Sequence, residues 1–174
     1  MSNFYRKMLF FGLFWVLVAG FSATAGAQTK NGFELLTGAA LTKVVPTSFY
    51  FAGQSAATQA RNTAAATLGK DRYILAGMVD TSGYSTEISG KYEGFFITDS
   101  PVDFGGKTLA TGAYGFGFAA DGSVKIFDLS SKEIFSVATT ADAAMKRPRP
   151  LQMTLDAKGV RFYKGKNYVL IAPK

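Results

Sequence analysis

A chain of 174 residues with a formal charge of +7 and neither His nor Cys has a short menu of chemistries. A Ser-His-Asp triad, a thiol nucleophile, imidazole acid–base catalysis, disulfides and the usual zinc ligand sets are all excluded. The length suits one domain, large enough for a hydrophobic core to hold the fold without staples.

The chain opens with Arg6 and Lys7, an apolar run over 8–21 and the small residues Ala25-Gly26-Ala27, the three parts of a secretory signal cleaved after Ala27. The run is shorter than the about 20 apolar residues of a spanning helix. The mature chain is therefore expected to be exported, periplasmic or extracellular, with no transmembrane segment left after cleavage. Residues 28–40 read as a flexible lead-in and residues 41–174 as a single β-rich domain. The stretch 41–51, "LTKVVPTSFYF", is β-branched and aromatic, which predicts an extended segment with Pro46 at an edge or bulge.

Composition then changes. "GQSAATQARNTAAATLGK" (53–70) is rich in Ala and lacks aromatic residues. Ser55 as N-cap, Gly69 as stop and a stripe of Ala57, Ala60, Ala64 and Leu68 predict a helix. Strands are expected over 72–79, 91–98, 113–119, 124–129 and 133–139, then in "LQMTL", "VRFY" and "YVLIA". The connections carry turn chemistry: Gly105-Gly106, Asp121-Gly122, Ser130-Ser131-Lys132, Ala157-Lys158-Gly159 and Gly165, Asp-Gly between alternating apolar residues being a strong hairpin signal. The fold class expected is an antiparallel β-sandwich or barrel of about eight or nine strands with one Ala-rich helix packed on it.

Two nucleotide-like strings fail on context. "GFGFAA" (115–120) has the G-x-G-x-x-A spacing, but its glycines alternate with Tyr114, Phe116 and Phe118 inside one strand, and a turn follows instead of a helix. "GGKT" (105–108) has Pro101 where a P-loop needs its first Gly. No nucleotide, nucleic acid, metal or other cofactor is therefore expected. Glycines inside a strand mark close approach by another backbone or a ligand. The expected partner is the Ala-rich helix, with Ala57, Ala60 and Ala64 over Gly115 and Gly117. The competing expectation is a ligand cavity lined by Gly115 and Gly117, with Gln59, Arg61 and Asn62 binding a carboxylate or phosphate. The alternative for Arg61 is a stem covering the stripe while its charge reaches water.

Charge is uneven. Residues 28–145 hold 9 basic and 11 acidic side chains, whereas 146–174 hold 8 basic side chains against Asp156 alone. This asymmetry points to an anionic partner, a glycan, a membrane surface or an acidic protein, met by Lys146, Arg147, Arg149, Arg161, Lys164 and Lys166. The competing reading is a solvated strand edge guarded by lysines. Asp99, Asp103, Glu87 and Glu93 are the candidate carboxylates for a glycosidase-like hydrolase. The function expected is an exported, non-enzymatic β-domain that binds a small or anionic partner. The alternatives are a structural or adhesive surface protein and a carboxylate-dependent hydrolase, and a small apolar ligand in a barrel mouth also fits the aromatic content.

Overall fold

A computed structural model describes residues 29–30 and 32–174. The signal sequence expected over 1–27 lies outside the described residues. In chain order the elements are β1 (Thr29–Lys30), β2 (Phe33–Leu36), α1 (Gly38–Val44), β3 (Ser48–Phe51), β4 (Gln54–Leu68) and β5 (Tyr73–Val79). There follow α2 (Thr86–Ser89), β6 (Gly94–Thr98), β7 (Val102–Phe104), β8 (Lys107–Leu109), β9 (Gly112–Phe118) and β10 (Ser123–Phe127). The chain ends with β11 (Glu133–Ala138), β12 (Thr140–Ala141), β13 (Arg149–Asp156), β14 (Gly159–Gly165) and β15 (Asn167–Pro173).

The fold is mainly β, antiparallel and built of two packed sheets, as expected for a sandwich. One sheet has nine strands in the order β1-β2-β4-β5-β6-β9-β10-β11, with β3 paired to β4. The other has six, in the order β13-β14-β15-β7-β8, with β12 paired to β15.

The Ala-rich helix is not there. Residues 54–68 form β4, the longest strand among the described residues. The punctuation was legible, since Gly69 ends the element at φ +85, but the element type was not. Helix propensity is a weak prior that tertiary pairing overrides. Here β4 has ladders to β2 and β3 on one side and β5 on the other. Its alanines have a packing reason: backbones of β4 and β13 come within 8 Å, inside the ~10 Å usual between packed sheets. Ala64 and Ala66 lie in the same core cluster as Leu151 and Met153 of β13. The lead-in is also more structured than expected, for Phe33–Leu36 pairs with β4. The first residues of the expected extended segment are helical instead: "GAALTK" holds good helix formers. Pro46 forces Val45 into extended backbone, with φ −79 and ψ 126, and ends α1 there.

Alternate residues of the nine-stranded sheet serve two cores. Ala64, Ile74, Phe96, Phe116 and Ile126 face the six-stranded sheet with its Phe104, Phe162 and Ile171. Phe95, Val79 and Phe127 face the other way, under Phe49 and Phe51 of β3 and Tyr84 and Tyr92 of the connection around α2. Phe51 stacks on Tyr92 at 3.8 Å between ring centres. The bare face of β9 belongs to this second core. A Cβ on Gly115 would meet the Phe51 ring at 2.3 Å, and one on Gly117 would meet the Lys91 carbonyl oxygen at 1.9 Å. Close approach is thus the reason for both glycines, but an aromatic ring and the 91–92 backbone approach them, not a helix.

Candidate functional site

Two turns and a strap meet at one end of the sandwich. They are the β9–β10 turn (119–122), the strap entering β13 (148–150) and the β14–β15 turn (165–166). Between them lies a groove of about 630 Å³, lined by residues 118–120, 122–123, 139, 148–150 and 164–167.

Each wall has a local cause. Asp121 folds the first turn by accepting from the Ser123 amide at 2.9 Å and its hydroxyl at 2.6 Å, an Asx turn. Those bonds hold the Asp121 carboxyl below its ordinary pKa. The Gly122 carbonyl accepts from the Thr139 amide and hydroxyl, at 2.8 and 2.7 Å. On the other wall, Gly165 at φ +60 allows the two-residue turn that joins Lys164 to its register partner Asn167. Arg149 pairs with Gly165 across the ladder, so Lys164, Lys166 and Arg149 surround one turn. Pro148 and Pro150 on either side of Arg149 fix φ and keep the strap extended. Glu93 ties the walls together: one carboxylate oxygen accepts from the Phe118 amide at 2.9 Å, and the other pairs with the Lys164 ammonium.

The groove lining thus carries three cations and no acid. Lys164 is neutralised by Glu93, whereas Arg149 and Lys166 are exposed and make no ion pair among the described residues. Lys146 and Arg147, also exposed, continue the strap out of the groove.

Of the six cations expected to meet an anionic surface, three line the groove, two adjoin it and one lies apart. Arg161 sits in a second cleft of about 320 Å³. There its guanidinium binds Asp156 at 2.9 and 3.0 Å, reaches Asp142 at 3.7 Å and lies 4.8 Å above the Tyr168 ring centre. It is an internal tie. Tyr163 donates to the same Asp142 at 2.8 Å, the first of the contacts that lower the Asp142 pKa.

The other expected ligand residues are not brought together with Gly115 and Gly117, whose face is filled by protein. Between Thr58 and Thr63, β4 advances five residues while β5 advances two, Val79 to Gly77. The three surplus residues make a large bulge. Gln59 and Asn62 serve it: Gln59 donates to the Val79 carbonyl at 2.9 Å and accepts from Asn62 at 2.7 Å. Arg61 is exposed and makes no ion pair among the described residues. Beside the bulge, under α1, runs a crevice of about 170 Å³ lined by Leu41, Val45, Pro46, Ala60 and four threonines. One of them, Thr58, keeps a buried hydroxyl with no hydrogen-bond partner.

Each of the four candidate carboxylates is engaged in a bond of its own. Asp99 accepts from the Tyr73 amide at 2.8 Å, Asp103 from the Gly106 amide at 2.8 Å, and Glu87 pairs with Lys91 at 3.5 Å. With Glu93 tied as above, none of the four lines any of the three clefts. Sequence reasoning missed Phe118, Ser123, Thr139 and Asn167 as groove residues. The turns at Asp121-Gly122 and Gly165 were legible, but which segments meet depends on sheet order.

Comparison with protein-family profiles, curated proteins and solved structures found no match to this chain.

Proposed function

We propose that this chain is an exported, non-catalytic β-sandwich that holds an anionic partner in the groove between the β9–β10 turn, the strap and the β14–β15 turn. One observation carries the reading: Arg149, Lys164 and Lys166 converge on a concave site whose lining has no acid. Opposite charge raises the local concentration of an anion in such a cleft. That none of the four candidate carboxylates lines any of the three clefts speaks against the hydrolase alternative. Export rests on the residues at 1–27, and N-terminal sequencing of the exported protein is expected to begin at Gln28.

Retention on a sulfonate matrix tests the site against net charge alone. The double variant Arg149→Ala/Lys166→Ala is expected to elute at clearly lower salt than the charge-matched Lys70→Ala/Lys158→Ala. Equal losses in the two would mean that no particular place on the surface binds.

A small apolar ligand has its own place, the crevice under α1. Its volume resembles that of a cavity able to take benzene, and the unpartnered Thr58 hydroxyl offers one hydrogen bond.

A further inference from the structure

We infer that the anionic partner is a chain-type acidic glycan, carboxylated or sulfated sugar rings laid along the groove; this rests on the groove being the anion site. The two walls differ in kind. Arg149, Lys164 and Lys166 come from the end of the six-stranded sheet, while the β9–β10 turn opposite offers Phe118, Ala119, Ala120 and Ser123. An acidic sugar ring has the same two-sidedness, with a charged substituent and hydroxyl groups at different positions of one ring. The Arg149 fork suits a carboxylate or sulfate bidentately, which a lysine does not. Asn167 is exposed beside these cations. Ser123 and Thr139 spend their hydroxyl protons on Asp121 and Gly122, which leaves acceptor lone pairs for ring hydroxyls. Phe118, Pro148 and Pro150 add apolar surface suited to the C–H faces of sugar rings.

The number and course of the cations argue for a chain over a single anionic group. Lys146 and Arg147, exposed on the bend that leads into the strap, carry the positive run beyond the groove. One phosphate cannot neutralise such a run, whereas a polymer with charge on successive rings can. A lipid surface fits less well. Proteins that lie on membranes bury apolar side chains beside their cations. Here the exposed large apolar side chains among the described residues are Val44, Tyr50, Tyr73, Leu129 and Ile134, and none lines the groove.

The test is calorimetric titration of the exported chain with four probes: a uronic-acid hexasaccharide, its sulfated counterpart, a neutral hexasaccharide and inorganic phosphate. Vesicles of mixed neutral and anionic phospholipid are run by co-sedimentation. The expected result is binding of one or both acidic oligosaccharides, weakened at least tenfold in Arg149→Ala/Lys166→Ala and little changed in Lys158→Ala, with no binding of the neutral chain. If phosphate or the vesicles bind through Arg149 and Lys166 and the acidic oligosaccharides do not, the anion site stands and the glycan inference is overturned. If no probe binds, or the double variant binds like the parent, both readings fall.

Discussion

Gly117 shows how one missing Cβ ties two parts of the fold together. Its α-carbon faces the Lys91 carbonyl so closely that an added Cβ would lie 1.9 Å from that oxygen. The obstacle is backbone, so it cannot rotate away. We expect Gly117→Ala to cost about 3 kcal/mol, the upper range of overpacking. Gly106→Ala is expected to cost about 1 kcal/mol, because Gly106 sits in open space and only its φ of +89 strains an L-residue. Urea unfolding of the two variants checks the contrast, and equal costs would show that the 91–92 segment does not press on β9. The strand alternation made the close approach legible in the sequence. Its partner was not, because Lys91 is far from Gly117 along the chain, as Phe51 is from Gly115. Asp142 is a second single-residue case. The Tyr163 hydroxyl first, then the Ala144 amide and Arg161, lower its pKa in the fold. A depressed carboxylate contributes stability that is present above its unfolded pKa of about 3.9 and is lost as pH falls through the lower folded value. Asp142→Asn is therefore expected to be less stable than the parent at pH 7, with the gap closing below pH 4 in pH-resolved thermal melts. A gap that persists unchanged into acid would mean that shape, not charge, makes the difference.

The alanines of β4 carry the main lesson at the scale of elements. In a helix, Ala57 and Ala64 would share one stripe and tolerate substitution alike. In the strand they part: Ala57 is exposed, while Ala64 is buried facing the opposite sheet, as is the fully buried Ala66 two residues on. We expect Ala66→Leu to cost about 2 kcal/mol by forcing β4 and β13 apart. Ala57→Val, on the surface of a strand, is expected to stay within about 0.5 kcal/mol of the parent. Similar costs at both positions would contradict the close sheet contact. The hairpin turns at Gly105-Gly106, Asp121-Gly122 and Gly165 were legible because their chemistry is local. The identity of β4 was not, because a strand is defined by partners and an Ala-rich stretch has no strong preference of its own to announce them. The edges show the same division. At its start β13 shifts register between Arg149 and Gln152, where Pro150 has no amide to give the ladder. The surplus Ile134 of β11, where Phe127 pairs with Glu133, has no sequence signal, yet such a bulge protects an edge from pairing with other chains.

Across the whole molecule, the fold turns an asymmetry of sequence into an asymmetry of shape. The last 29 residues carry 8 cations, and a strand edge guarded by lysines would spread them along its length. The hairpin β14–β15 instead places Lys164 and Lys166 at one end with Arg149 on the adjoining strand, while Lys158 lies at the opposite turn of β14. Arg161 is consumed between Asp142 and Asp156. The excess charge was readable from composition. Its concentration at a groove was not, because two hairpin turns and a strap from different strands had to meet. Exposed cations act over about 8 Å at physiological ionic strength, so an anion held by this end is held less tightly as salt rises. The most direct measurement is an amide chemical-shift map of residues 28–174 titrated with a sulfated oligosaccharide at low and high salt. The account predicts low-salt shifts concentrated at 119–123, 149 and 164–167, fading at high salt and absent in Arg149→Ala/Lys166→Ala. Shifts centred elsewhere, or unchanged in that variant, would contradict it.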